Sequence, residues 1–261
     1  MGQNFIKFPS LVRELLEATD IGNNDLVIEI GPGKGVITRE LTEKAGEVWG
    51  IEKDADLYKE LEIKFKNLEF KNLKTYNQDF LEFKLPKKPY KVFSNIPFSI
   101  TSEIMNKFLT EVNMPDAMYL IMQLEVAEKF KGGVVETMSS VLTKPWYEVE
   151  ILGEIDRTNF TLKPQVKIVF VKFVKRKIAY IKEEDKSIFR KFVSYGFSKW
   201  KPTVLEAFKE VMTYEQAKHI RKALDIGDIK PSELTFDKWL LMFKMWIKVA
   251  SEEQKRIIKR G

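Results

Sequence analysis

Between residue 25 and residue 174, short apolar runs alternate with longer stretches in which apolar positions recur every three or four residues. The runs Leu26 to Ile30, Val48 to Ile51, Leu73 to Tyr76, Lys91 to Ser94 and Ala117 to Met122 read as strands, with helical patterns such as Val36 to Lys44 and Asp54 to Lys66 between them. Such alternation predicts a parallel sheet covered by helices. After residue 145 the pattern changes. Trp146 to Ile155 and Val166 to Val174 both read as strands with no long helix between them, which predicts an antiparallel pair closing one sheet edge and seven strands in all. Beyond Lys175-Arg176-Lys177 the strand signals stop, and amphipathic helices are predicted near 183–197, 202–211, 214–224 and 236–249. Phe189, Phe192, Val193 and Phe197 recur at helical spacing, as core positions do. The charged end, Ser251 to Gly261, is expected to fray. The class is α/β, with a first domain over residues 1–177 and a small α-helical domain over 178–261.

Composition narrows the chemistry. The 261 residues are 44% hydrophobic, enough to fill a core, and no stretch of about 18 apolar residues or signal-peptide pattern is present, so a soluble, cytoplasmic protein is expected. With no cysteine, disulfides, thiolate metal sites and cysteine nucleophiles are excluded. His219 stands alone in a helical segment, so no metal site is expected. The net charge of +6 is unevenly distributed: residues 1–177 hold 26 basic and 26 acidic side chains, residues 178–261 hold 18 and 12. A polyanion engaged partly through the second domain fits this asymmetry, as does a lysine-rich surface kept for solubility.

The strand that ends at Ser94 runs into Asn95-Ile96-Pro97-Phe98. An exocyclic amine on a nucleobase is a poor nucleophile because its lone pair is delocalised into the ring, so an enzyme that alkylates it must hold the nitrogen with acceptors. Asn95 offers a side-chain carbonyl, and the Ile96 peptide carbonyl offers a second, aimed by the conformational restriction that Pro97 imposes. Phe98 supplies a ring face on which an unstacked base can lie, worth roughly 1–3 kcal/mol.

The first strand leads into Gly31-Pro32-Gly33-Lys34-Gly35 and then a helical pattern. A dinucleotide fingerprint needs a third glycine at 36, where this chain has Val36. Gly-x-Gly-x-Gly instead suits a ligand without a pyrophosphate, and S-adenosylmethionine fits. Glu52, at the end of the second strand, can accept both hydrogen bonds of a ribose diol, and Asp79, after the third, can accept from an adenine amino group. The glycine loop, Glu52, Asp79 and Asn95 all fall at carboxyl ends of strands, the side where open α/β sheets bind ligands. Glu29 is expected to support the loop.

With these residues in place, the chain resembles the rRNA adenine-N6 methyltransferases, which comprise the KsgA-type dimethylases of the small subunit and the Erm-type methylases of 23S rRNA. The likeness runs through Gly2-Gln3-Asn4-Phe5, the glycine loop, Glu52, Asp79, Asn95 to Phe98, Gln123-Leu124-Glu125, and Phe160 through Pro164 to Val166. It implies a seven-stranded Rossmann-like class I methyltransferase domain with a helical RNA-binding domain behind it. S-adenosylmethionine would be bound by Gln3, Asn4, Gly31, Gly33, Glu52, Lys53, Asp79, Phe80 and Asn95, and the target adenine handled by Asn95, Ile96, Pro97 and Phe98. The KsgA type usually reads Asn-Leu-Pro-Tyr and carries Arg-Arg-Lys-Thr-Leu early in its second domain, whereas this chain has Ile96, Phe98 and Phe197-Ser198-Lys199-Trp200-Lys201-Pro202-Thr203. Its tail, Ser232 to Leu240, is similar to Erm-type tails. These departures favour a monomeric 23S rRNA methylase acting in antibiotic resistance. A KsgA-type enzyme on 16S rRNA, a DNA adenine methylase and a non-catalytic assembly factor remain the alternatives.

Overall fold

The computed structural model describes residues 5–66, 68, 70–199 and 201–260, which gather into two compact units. The first runs to Ala127 and resumes over Glu148–Lys175; the second takes Glu128–Tyr147 and the described residues from Arg176 onward. The strand and helix pattern alone gives no sign that Glu128–Tyr147 clusters with the later helices.

The first unit begins with α1 (Pro9–Glu17), whose proline sits in the first turn, where its missing N–H costs nothing, and whose Val12 and Leu16 are buried. There follow β1 (Leu26–Ile30), α2 (Val36–Lys44), β2 (Glu47–Glu52), α3 (Ala55–Lys66), β3 (Leu73–Asn77), β4 (Lys91–Asn95), α4 (Thr101–Thr110) and β5 (Ala117–Gln123). Next in chain order come α5 (Leu124–Lys131) and α6 (Met138–Thr143), the latter within the second unit, after which the first unit resumes with β6 (Tyr147–Ile155) and β7 (Ile168–Lys175). The seven strands form one sheet in the order β3-β2-β1-β4-β5-β7-β6. β1 through β5 pair in parallel, and β7 lies antiparallel to β5.

Helices on both faces explain the apolar runs. Val27, Ile28, Val48, Val92, Phe93, Leu120 and Ile121 have no exposed surface, each such burial being worth roughly 1.5–3 kcal/mol. The sequence of the sheet reverses at β1 and β4: β2 and β3 lie to one side, β4 and β5 to the other. The loops leaving β1 and β4 therefore diverge, and a crevice opens beyond their carboxyl ends.

In the second unit an aromatic cluster joins α7 (Lys186–Ser198), α8 (Val204–Ala207) and α10 (Phe236–Val249), with α9 (Tyr214–Leu224) and α11 (Glu252–Arg260) completing it. Phe189, Phe192 and Val193 are fully buried, and Phe197 stacks on Trp239 at 5.2 Å. Two of the buried indoles are satisfied within the unit: Trp239 donates to the Pro231 carbonyl (3.1 Å) and Trp246 to that of Val211 (3.0 Å). Gly196 lets these rings approach, since a Cβ there would fall 2.6 Å from Trp239 and 2.7 Å from Phe208.

Two sequence expectations need correction. The helix expected over 202–211 is only the single turn Val204–Ala207, capped by Thr203, after which the chain turns at Phe208. The end expected to fray instead forms α11, because Ile258 is fully buried and Ser251 and Gln254 exchange bonds at its first turn.

Candidate active site

The glycine loop is shaped by backbone that L side chains resist. Gly31 and Gly33 have φ of 65° and 52°. A Cβ on Gly31 would meet nothing within 4 Å, so the bare backbone faces open space at the mouth of the crevice. A Cβ on Gly33 would fall 2.3 Å from the Phe5 ring, so that glycine is required by close packing.

Glu52 ends β2 and is 4% exposed. Its two oxygens accept from the Gly33 N–H (3.0 Å) and the Asp54 N–H (2.9 Å), which fixes the carboxylate and ties the first loop to the second. Each oxygen keeps a lone pair for a further donor, as a ribose diol would supply.

Asp79 lies beyond β3. One oxygen accepts from the Leu81 N–H (2.9 Å), the other from the Lys53 ammonium (2.7 Å), and Lys53 is the main reason its carboxyl is held below the usual carboxylate range. Lys53 is itself largely exposed and is raised by the same pairing. The Phe80 ring is buried, 5.3 Å from Phe108. It forms a wall of this loop and offers little surface of its own.

Asn95 ends β4 beside Ile121 of β5. The preceding Ser94 hydroxyl donates to the Ile30 carbonyl (2.7 Å), locking this strand end to the start of the glycine loop. Ile96 is buried and its N–H donates to the Ile121 carbonyl (3.3 Å), while no described residue donates to its own carbonyl. Pro97 is extended, with φ −60° and ψ 123°. Its carbonyl is taken by the Ile100 N–H and the Thr101 hydroxyl, both at 3.2 Å, which fixes the turn into α4. Phe98 is half-buried at the start of that turn.

A pocket at the switch point is lined by Phe5, Glu29, Gly31, Lys34, Val36 and Asn95 among others. It thus brings Gly31, Pro32 and Lys34 of the glycine loop together with Asn95, while Gly33, Glu52 and Asp79 are not part of its lining; Glu52 meets the loop at the Gly33 N–H. Gln3 and Asn4 lie outside the described residues. The next residue, Phe5, is anchored by Thr161, whose N–H and hydroxyl both donate to its carbonyl (2.8 and 3.2 Å), and Ile6 bridges to Phe160. Sequence reasoning did not pick out Phe5 as a pocket wall, nor Glu29 as a lining side chain. The available signal was a lone acid inside the apolar run Leu26 to Ile30, where a buried charge calls for a reason.

These features fit a nucleoside cofactor carrying an amino acid: open space over Gly31, a fixed carboxylate at Glu52 and a buried Glu29 oxygen, Oε2, with no hydrogen-bond partner. Among the described residues no group of three His, Cys, Asp or Glu side chains is placed to hold a metal, and no helix is long and apolar enough to cross a membrane.

Comparison with known proteins agrees with this architecture. Residues 1–248 match the ribosomal RNA adenine dimethylase family. An rRNA adenine N-6-methyltransferase of Bacillus licheniformis is 29% identical over 93% of this chain and 84% of its own. A ribosomal RNA small subunit methyltransferase A of Alkaliphilus metalliredigens is 27% identical over 94% and 90%. The crystal structure of the 23S rRNA methyltransferase ErmE shares the fold, with a TM-score of 0.79 and 24% identity over 94% of this chain and all of that one. The family implies use of S-adenosylmethionine on an rRNA substrate. With the match spanning nearly its whole length, this chain belongs to the ribosomal RNA adenine dimethylase family of methyltransferases.

Proposed function

We propose that the protein transfers methyl from S-adenosylmethionine to N6 of a specific adenine in 23S rRNA, and that this modification serves resistance to macrolide, lincosamide and streptogramin B antibiotics. The observation that carries the reading is the pairing of Asn95 with an Ile96 carbonyl that no described residue engages, at a strand end locked to the glycine loop through Ser94. Bound there, S-adenosylmethionine supplies a methyl group on a sulfonium, a good leaving group.

The chain's own residues bind and align. Glu52 takes the ribose, Asp79 the adenine ring of the cofactor, and Gly31 and Gly33 give the backbone room to approach; Gln3, Asn4, Lys53 and Phe80 complete this set by family likeness. The carbonyls of Asn95 and Ile96 accept from the target amine and favour the tetrahedral, partly positive nitrogen that develops on alkylation. Phe98 stacks under the target base, and Pro97 holds the turn. Alignment of two bound reactants supplies much of the rate. Residues 178–261 would then add phosphate contacts from their basic excess.

The 23S assignment is supported by the Erm-like reading of Phe98 and of the Ser232 to Leu240 stretch. A 16S target is the second reading, favoured by the similar identity to a small-subunit enzyme. Offering protein-free 23S rRNA, 30S particles and duplex DNA with labelled S-adenosylmethionine separates them. Label in 23S rRNA alone is the expected result; label only in 30S particles would transfer the assignment to the small subunit, and label only in DNA would end it.

A further inference from the structure

Glu29 is the one acidic residue inside β1, a strand buried along its whole length, and it is 1% exposed. It lines the switch-point pocket, and its Oε2 has no hydrogen-bond partner. A buried carboxylate with an unmet oxygen costs several kcal/mol unless a proton or a cation arrives. No described Lys or Arg makes an ion pair with it. Lys34 lines the same pocket, but its ammonium sits 5.9 Å over the Phe5 ring. From β2 the facing charged group is Glu52, which repels a second negative charge; α2 contributes the neutral Thr38 hydroxyl and β4 the neutral Asn95 amide. Among the described residues no cation compensates an ionised Glu29, and Thr38 is its one neutral hydroxyl donor. The side chain is built to hold a proton until a cation replaces it.

We propose that Glu29 is a proton-linked partner of the cofactor's amino-acid end: it waits as a carboxylic acid, and entry of the ligand ammonium breaks the carboxyl O–H bond, sends the proton to solvent and leaves a carboxylate facing the ammonium. This deepens the assignment of S-adenosylmethionine to the pocket and rests on it. Burial, reinforced by the Glu52 charge and only partly opposed by Thr38, pushes the carboxyl up to about 8, so near neutral pH the acid form dominates before binding. The ammonium is the better of the two cationic centres to pair with it. A carboxylate set against the sulfonium would stabilise a charge that disappears during transfer and so slow the step, whereas the ammonium keeps its charge from substrate to product. Glu29 therefore acts as a positioning residue that registers arrival of the amino acid and makes cofactor affinity depend on pH.

The test is calorimetric titration of the full chain with S-adenosylmethionine and with S-adenosylhomocysteine, which keeps the ammonium and lacks the sulfonium. Titrations run between pH 6.5 and 9 in buffers of differing ionisation enthalpy. Near pH 7 the wild type should release close to one proton with either ligand, and affinity should rise, by up to about tenfold per pH unit, as pH approaches 8, then fall once the ligand's own ammonium deprotonates. Glu29→Gln, which matches the acid form in shape, should bind more weakly at high pH, release no proton and lose the rise with pH. Glu29→Asp should keep proton release while binding less tightly, which a merely structural role would not produce. Binding without proton release, or equal release from Glu29→Gln, overturns the inference while leaving the cofactor assignment intact. Release with S-adenosylmethionine alone overturns the ammonium pairing. Failure of both ligands to bind a folded wild-type chain would remove the cofactor reading and this inference together.

Discussion

Replacing Glu52 by alanine should damage the fold and the cofactor site together, by separable amounts. The carboxylate accepts two backbone N–H bonds, from Gly33 at 3.0 Å and Asp54 at 2.9 Å, in a side chain that is 4% exposed. Bonds to a charged acceptor contribute about 1.5–3 kcal/mol each, and the Asp54 N–H lies nearer solvent, where water can replace the lost partner. A stability loss of about 2–3 kcal/mol follows, mostly from the Gly33 N–H. The proposed ribose contacts use the remaining lone pairs. Two such bonds, with water competing for the free site, give a lower-end loss of about 3 kcal/mol, or more than 100-fold in affinity. Glu52→Gln keeps one acceptor oxygen and turns a donor toward the other N–H, so it should fall between the two proteins on both scales. Thermal unfolding measures the first effect and calorimetric titration with S-adenosylhomocysteine the second. A lower melting temperature with unchanged affinity would reduce Glu52 to a loop anchor, and no change in either would refute the bonding scheme.

Asn95→Ala should abolish methyl transfer while S-adenosylhomocysteine still binds within a few-fold of wild type; collapse of affinity in the same titration would assign Asn95 to the cofactor instead. Phe98→Ala should lose about 1–3 kcal/mol of base stacking and the corresponding turnover, whereas Phe98→Tyr keeps the ring and should stay near wild type in the same transfer assay. Lys199 is poorly suited to charge reversal because it pairs with Glu210 at 3.2 Å and lies over the Tyr195 ring. Neutralising the exposed Lys201 and Lys209 to glutamine is gentler, and the log-log salt dependence of RNA binding should flatten by about 0.7 to 0.9 per lost phosphate contact; an unaltered slope would mean recognition without these lysines. Glu47 is held down to about 2 by bonds from Lys74 and Lys88 and that of Trp49. Since its folded value lies below the ordinary 4.5, it adds stability above pH 4.5 that is lost as pH falls toward 2. Glu47→Gln should therefore weaken the wild type at neutral pH and narrow the gap on acidification, as followed by denaturant melts.

The parallel strands were readable because both of their faces are covered, which leaves unbroken apolar runs such as Leu26 to Ile30 and Ala117 to Met122. Their carboxyl ends then point to Glu52, Asp79 and Asn95 from the sequence alone. What the chain order hides is spatial. Phe5 is held beside the glycine loop by contacts far away in sequence, its carbonyl by Thr161 and the following residues by Phe160 and Asn159. The bond from Glu52 to the Gly33 N–H likewise depends on how two loops meet. The single turn at Val204–Ala207 and the ordered α11 were misjudged for a common reason: local patterns over-weigh periodicity and charge, whereas a Thr203 cap and one buried residue, Ile258, decided the outcome. The reach of the second unit back to Glu128–Tyr147 is set by tertiary packing, for example Trp146 against Phe189 at 5.9 Å, and no local signal announces it.

The proposed chemistry is delivery of a methyl group to the exocyclic amine of an adenine held by Asn95 and Ile96. Nucleoside analysis by mass spectrometry of protein-free 23S rRNA, after incubation with the enzyme and S-adenosylmethionine, tests it directly. The expected product is N6-methylated adenosine in the wild-type digest and none in that of Asn95→Ala. Methyl found on a ring nitrogen, on a ribose or on another base, or N6-methylated adenosine formed equally by Asn95→Ala, would contradict the account.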